Sequence, residues 1–260
     1  MSILKQASIA VLGTAFVTVG TGEVAKAIIT PDESVNALVD PFDFTGVAFL
    51  QTGLGSCSGS LLTGGLHILT AAHCFINEQG QFDVSSVGNT TAIFNLSNEQ
   101  PPNTIFEAIT VTDFFVFPGW NPQSMGGGDD GDIAVLKLAK PAPTAIEQYD
   151  IYRGTDEIGQ IFTMVGYGLT GTGSQGFDYS ELDSANIDGR KRFGQNQFDA
   201  FRDIFNGFDQ LPDLAISQGQ LLFDFDNGNP ENDFFGVHFG ISDLGLGLNE
   251  VTPGPGDSGG

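Results

Sequence analysis

The sequence predicts an all-β protein, either a sandwich or a barrel, and three features support this prediction. The 260 residues include 36 Gly and 12 Pro, so few segments can remain helical over many residues. Short apolar runs recur along the chain, and residues that favour turns separate them. Many short strands joined by glycine-rich turns are typical of closed or sandwiched β-folds. The predicted strands cover 46–53, 59–73, 104–117, 133–139, 160–168 and 220–226.

Two further segments have a local pattern that predicts their structure. Phe198, Phe201 and Phe205 are spaced at i, i+3 and i+7, which predicts a short amphipathic helix near 196–206. Residues 190–192 are consecutive basic residues and predict an exposed loop that a protease could nick.

The first 27 residues have the pattern of a secretory signal peptide. An early lysine precedes the apolar run ASIAVLGTAFVTVG, and Ala25 and Ala27 occupy the two small-residue positions that a signal peptidase reads. We expect cleavage after Ala27, and the alternative is an uncleaved anchor. No later apolar run is long enough to span a membrane. The mature chain is therefore expected to be secreted, periplasmic or extracellular, with no membrane span.

The composition is strongly acidic, with 32 acidic and 9 basic residues and a formal net charge of −23. Such a surface repels nucleic acid and anionic lipid, which excludes a nucleic-acid partner. The Asp- and Asn-rich segment 224–236 could bind calcium through Asp224, Asp226 and Asp233, although it lacks the complete twelve-residue calcium-loop pattern. A solvated turn is the alternative.

The chain contains two cysteines, Cys57 and Cys74. Export would allow them to oxidise, and closing the loop between them would stabilise the fold by about 3 kcal/mol. A zinc site would need more Cys or His ligands at short spacing than the sequence supplies. We therefore predict a structural disulfide.

Three short motifs carry residues suited to nucleophilic catalysis. His73 lies in TAAHC, where a disulfide at Cys74 would immobilise the backbone beside a general base. Asp132 opens the apolar strand of GDIAVLKL, at a position where a carboxylate can accept from an imidazole N–H. Ser258 lies in GDSGG, whose glycines allow a tight turn and leave amides uncovered for an oxyanion hole.

In the order His, Asp, Ser, these motifs resemble those of the trypsin-like serine proteases of the chymotrypsin fold. GSCSGSLL around Cys57 and the VGYG turn at 165–168 also match that family. The resemblance extends from about residue 44 to 260, with an unusual insertion of loops and a short helix around 170–250. It implies two antiparallel β-barrels with a catalytic cleft between them. The implied domains are a signal peptide (1–27), a first barrel (28–150) and a second barrel (151–260).

The resemblance also implies the role of each site residue. Ser258 would attack the peptide carbonyl, His73 would transfer the proton, and Asp132 would orient the imidazole. The N–H groups of Gly256 and Ser258 would form the oxyanion hole. This chemistry needs no metal or cofactor. We expect a monomeric endopeptidase that acts on proteins or peptides.

Two finer expectations follow from the same resemblance. Thr252, six residues before Ser258, would lie at the base of the specificity pocket. Because it carries no charge, we expect an uncharged or small P1 residue rather than Lys or Arg. Asp257 would pair with a newly exposed amino terminus at Ile28, so signal-peptide removal itself could create the active form. The alternative is that Ile28 begins a flexible leader.

Only two residues follow Ser258, whereas trypsin-like proteases continue with further strands of the second barrel. We therefore expect an incomplete second barrel in a truncated chain, which could be inactive as it stands. Alternatively, the insertion at 170–250 replaces the missing strands. The alternative function is a catalytically inactive, exported acidic surface module on a protease scaffold, which could bind calcium.

Overall fold

The computed structural model describes residues 28–32, 43–77, 79–97, 105–120, 131–177, 190–205 and 220–260. The predicted signal peptide at 1–27 lies outside the described residues. Within them, strands greatly outnumber helices, which confirms the all-β prediction.

Six antiparallel strands close into a barrel in the first half of the chain. The strands are β2 (Val47–Thr52), β3 (Gly55–Leu61), β4 (His67–Thr70), β5 (Thr91–Asn95), β6 (Phe106–Val116) and β7 (Ala134–Leu138). Around the barrel their order is β2-β3-β4-β7-β6-β5, and pairing between β2 and β5 completes the closure.

Alternating side chains of these strands fill the barrel. In β7, Ala134, Leu136 and Leu138 are buried, while Lys137 between them is exposed. This period of two is expected for strands with one face toward a core. The core of the barrel also contains Phe75, which is fully buried.

Smaller sheets form the described part of the second half. β8 (Ile161–Gly166) pairs with β11 (Arg192–Gln197) in an antiparallel ladder. β9 (Thr170–Thr172) lies between β1 (Ile28–Thr30), which is parallel to it, and β10 (Gly176–Phe177), which is antiparallel. The remaining pair is β12 (Ala200–Phe201) with β13 (Leu221–Leu222).

The helices of the described chain are short. The α-helices are α1 (Val84–Gly88) and α2 (Phe234–Phe239), and 3-10 turns occupy Ala72–Phe75, Arg202–Phe205 and Gly247–Asn249. None of the described helices is long and apolar enough to cross a membrane.

Contacts of Tyr167 join the two halves. Its hydroxyl donates to the carbonyl of Val47 at 3.2 Å, and its amide donates to Ser58 Oγ at 3.1 Å. Val47, Val165 and Tyr167 form a buried apolar cluster between β2 and β8. The boundary that we predict near residue 150 remains a prediction.

The helix predicted near 196–206 is wrong. β11 continues to Gln197, and the segment then forms β12 and a 3-10 turn. The three phenylalanines do not form one stripe, because Phe205 is buried while Phe201 is 38% exposed. Phe198 instead stacks on Phe162, with ring centroids 4.0 Å apart. Pairing with β8 and β13 therefore overrides the local helical pattern.

The exposed basic loop predicted at 190–192 is also wrong. Lys191 is fully buried and Arg192 is 3% exposed. The Lys191 ammonium donates to the main-chain carbonyls of Phe44 at 2.7 Å, Asp43 at 3.1 Å and Asn95 at 3.4 Å. Burial lowers its pKa to about 8, against the opposing charges of nearby carboxylates. This lysine joins the second half to the barrel.

Candidate active site

The register of two barrel strands brings His73 and Asp132 together. Thr70, the last residue of β4, pairs with Ala134, the first residue of β7. His73 follows β4 by one short turn, and Asp132 lies two residues before β7, so both emerge at the same barrel edge. The sequence places them there because the apolar runs HILT and AVLKL must align to fill the core.

Two hydrogen bonds connect these residues. The His73 amide donates to Asp132 Oδ1 at 2.8 Å, and His73 Nδ1 lies 2.6 Å from Asp132 Oδ2. Burial opposes ionisation of the carboxyl group, but the hydrogen bonds and charge of His73 outweigh it and hold the pKa of Asp132 below its ordinary value. Asp132 therefore presents an ionised carboxylate to the imidazole.

A disulfide fixes the backbone next to the histidine. Cys57 in β3 and Cys74 in the 3-10 turn are joined, which confirms the predicted disulfide. Each is at least 93% buried, with exposures of 6% and 7%. The turn that carries His73 is thereby attached to a core strand.

Ser58, the neighbour of Cys57, positions the turn that carries Ser258. The Ser58 amide donates to the carbonyl of Ser258 at 3.0 Å, and the Ser58 hydroxyl donates to the carbonyl of Gly256 at 3.1 Å. The Ser258 carbonyl also lies 4.0 Å from Cys74 Sγ. Ser258 is thus held beside the residue that follows His73. Among the described residues, no hydrogen bond joins the Ser258 side chain to the imidazole.

The glycines on either side of Ser258 are required by backbone conformation and space. Gly256 has φ = +96° and Gly259 has φ = +85°, in the region that side chains disfavour. A Cβ on Gly259 would overlap Thr70 Oγ1 and lie 2.7 Å from the Ser58 carbonyl oxygen. Within the described chain, the amides of Gly256 and Ser258 donate no hydrogen bond.

We expect Gly259→Ala to destabilise the protein by about 1–3 kcal/mol, because the added methyl group overpacks the turn against β3 and β4. Gly64→Ala is the matched control, since Gly64 also has positive φ (+99°) but has open space around it. Thermal melting should show a larger decrease for Gly259→Ala than for Gly64→Ala. Equal decreases in melting temperature would show that the close contact of Gly259 with Thr70 and Ser58 does not affect stability.

Asp257 is buried beneath the Gly-Tyr-Gly turn. Its Oδ1 accepts from the amide of Gly168 at 2.7 Å, and its Oδ2 accepts from the amide of Gly254 at 2.9 Å. Burial raises the pKa of Asp257 to about 6, although these amides, that of Ile28 and the charge of Arg192 favour ionisation. Side chains at Gly166 or Gly168 would overlap Asp257, which explains the glycines of VGYG.

Ile28 lies next to Asp257. The main-chain N–H of Ile28 donates to the Asp257 carboxylate, and the Ile28 side chain is 1% exposed. Ile29 forms a two-way backbone pair with Thr252, with N···O distances of 2.9 and 3.1 Å. The structure therefore places the segment after Ala27 against the segment that carries Ser258. Thr252 itself is partly buried in this pairing.

The acidic loop residues are divided between two environments. Asp224 and Asp226 lie close to Glu250, a residue that the sequence interpretation did not include. Asp233 instead caps α2, where its side chain accepts from the amide of Gly236. Sequence reasoning also missed the role of Ser58, although it lies in the GSCSGS motif that carries Cys57.

The trypsin family model matches residues 40–203 of the sequence. The chain belongs to the trypsin family. This match includes His73 and Asp132 and ends before Ser258. The search of curated proteins gave no significant match.

Two solved structures show the same fold. Neuropsin, a serine protease from mouse brain, is 18% identical, with a TM-score of 0.50 and coverage of 74% of this chain and 75% of that chain. An inactivated protease paralogue from the scabies mite is 14% identical, with a TM-score of 0.52 and coverage of 72% of both chains. The chain is thus a trypsin-like protein of the chymotrypsin fold.

Proposed function

We propose that this trypsin-family protein is an exported serine endopeptidase whose catalytic residues are His73, Asp132 and Ser258. The observation that carries this proposal is the doubly hydrogen-bonded His73–Asp132 pair beside the glycine turn of Ser258. In such a triad, Ser258 Oγ attacks the peptide carbonyl and His73 Nε2 takes its proton. His73 then gives that proton to the leaving amine, and water hydrolyses the acyl-enzyme.

Asp132 determines which imidazole nitrogen is available. Its Oδ2 accepts the Nδ1 proton of His73, so Nε2 keeps a free lone pair for the serine proton. After transfer, the ionised carboxylate stabilises the imidazolium. The second bond, from the His73 amide to Oδ1, fixes the carboxylate relative to the backbone.

The amides of Gly256 and Ser258 would bind the oxyanion. Neither makes a hydrogen bond within the described chain, and the backbone around them is fixed by Ser58 and Asp257. Donors that are already oriented need no reorganisation as charge develops on the carbonyl oxygen. The proposed chemistry uses no metal or cofactor at this centre.

Peptide hydrolysis tests this function. The protein expressed to its natural stop codon should cleave unfolded protein substrates, and Ser258→Ala should reduce kcat by about 10⁶-fold. Ser174→Ala, in an exposed turn, is the control and should retain full activity. If Ser258→Ala retains activity, the assignment of the nucleophile is wrong.

The proposed P1 preference is for an uncharged or small residue, with Thr252 at the base of the pocket. Its support is the absence of a charge on this side chain. A panel of peptides that differ only at P1 should give kcat/KM values for Ala or Val above those for Arg. Strong selectivity for Arg would contradict the proposal.

We also propose that cleavage after Ala27 exposes an Ile28 amino group that pairs with Asp257. In the uncleaved chain Ile28 has φ = +71°, a conformation that costs a β-branched residue about 1–3 kcal/mol. A free amino terminus no longer has that φ constraint, and its positive charge would compensate the buried carboxylate. Removal of the signal peptide would then complete the active form outside the cytoplasm.

The acidic composition supports the partners and the oligomeric state that we propose. A net charge of −23 disfavours binding to nucleic acid, and like-charge repulsion favours a monomer. Proteins or peptides are therefore the proposed partners. The alternative function is an inactive acidic module on this scaffold. Retention of all three triad residues favours the enzyme. A folded protein that does not react with a serine-directed fluorophosphonate probe would favour the inactive module.

A further inference from the structure

A cluster of three carboxylates lies in the second half, away from the His73–Asp132 pair. Asp224, Asp226 and Glu250 each contribute a carboxylate oxygen, and these three oxygens all lie within 4.8 Å of one another. Asp226 and Glu250 are each 1% exposed, and Asp224 is partly buried. Carboxylates so close together in the protein interior repel one another when ionised.

Several oxygens of the cluster have no donor. Both carboxylate oxygens of Asp226, and Oε1 of Glu250, are buried without a hydrogen-bond partner among the described residues. The other oxygen of Glu250 accepts from the Asp226 amide at 2.7 Å. Buried polar atoms are almost always satisfied in native proteins, so these oxygens indicate a ligand.

The surrounding charges increase the need for a cation. The like charges of Asp224, Asp233 and Asp243 act on Asp226. Those of Asp226, Asp224 and Asp199 act on Glu250. A bound cation would compensate these buried negative charges.

We propose that Asp224, Asp226 and Glu250 bind a calcium ion. Calcium is a hard cation that takes six to eight oxygen ligands and accepts bidentate carboxylates. Zinc would favour nitrogen or sulfur ligands, and these three residues supply none. Magnesium gives up its waters reluctantly and so suits a buried site less well.

The position of the cluster gives the ion a structural role. Asn196 Nδ2 donates to the carbonyls of Asp224 at 2.7 Å and Val251 at 2.9 Å. The Val251 amide in turn donates to the carbonyl of Gln195 in β11 at 3.0 Å. Calcium would fasten the 224–226 loop to the segment 250–258. Any effect of calcium on peptide cleavage depends on the proposed function, whereas calcium binding at this site does not.

Thermal melting at pH 7.5 tests the site in the protein expressed to its natural stop codon. Relative to EDTA, calcium at 100 times its Kd should raise the melting temperature by about 5–10 °C. Asp226→Asn and Glu250→Gln should lose this shift. Glu231→Gln, an exposed residue of the same loop, is the matched control and should keep it.

The melting temperatures of the variants in EDTA show whether the substituted carboxylates bind calcium or only stabilise the fold. Asp226→Asn removes a buried negative charge, so this variant should melt at or above the wild-type temperature when calcium is absent. Isothermal titration of the wild type should give one bound calcium per chain. No saturable binding, an equal shift with magnesium, or a full calcium shift in both variants would overturn the proposal. Loss of peptide cleavage alone would not overturn the calcium proposal, because the experiment measures calcium binding.

Discussion

Asp132→Asn is expected to lower kcat/KM by about 10⁴-fold while leaving the fold intact. The asparagine amide would occupy the place of Oδ2 and could offer its own N–H to His73 Nδ1. The Nδ1 lone pair would accept that bond, and the imidazole proton would move to Nε2. Nε2 would then be unable to take the proton of Ser258.

Kinetics with a fixed peptide substrate measure this effect. Asp113→Asn is the matched control, because Asp113 is an exposed carboxylate of the same barrel that accepts a hydrogen bond from the Phe114 amide. It should retain activity within about twofold. If Asp132→Asn also stays within tenfold of the wild type, Asp132 does not orient a catalytic histidine.

A chain that begins at Ile28 is expected to be about 10²–10³-fold more active than one that retains Ala27. In the longer chain an uncharged amide faces Asp257, whereas in the shorter chain a buried ammonium pairs with it. Loss of one partner from a buried charge pair costs about 3–5 kcal/mol. The lower part of this range, about 3–4 kcal/mol, corresponds to this factor in the population of the ordered site. Asp257→Asn should remove the advantage of the shorter chain.

Both chain forms can be made with defined amino termini and compared in the same peptide assay. Amino-terminal sequencing of the exported, active protein should begin at Ile28. Active material that begins elsewhere, or equal activity of the two forms, would show that the Ile28–Asp257 contact has no part in activation.

The sequence predicts the barrel and the His73–Asp132 neighbourhood well, for a physical reason. The strands of the barrel have a clear apolar pattern, and their alignment leaves little freedom in register. Once β4 pairs with β7, the positions of both residues follow. Cys57 and Cys74 were predictable from their number and spacing, because no other cysteine competes.

Sequence patterns are less informative where distant contacts determine the structure. Lys191 is buried because three backbone carbonyls converge on its ammonium group, and no local pattern records that convergence. The phenylalanines at 198–205 follow a helical period, but β-pairing determines their conformation. Glu250 meets Asp224 and Asp226 only through the fold, so the loop sequence alone suggested Asp233 as the third residue.

The most direct measurement is the reaction of the protein, expressed to its natural stop codon, with a fluorophosphonate probe, followed by mass spectrometry of the labelled peptide. We expect one label per chain, on Ser258, and loss of labelling in both Ser258→Ala and His73→Ala. Because the probe reacts with an activated serine, this result requires the nucleophile and its base together. A folded protein that remains unlabelled, or that is labelled at another serine, would contradict the proposed triad.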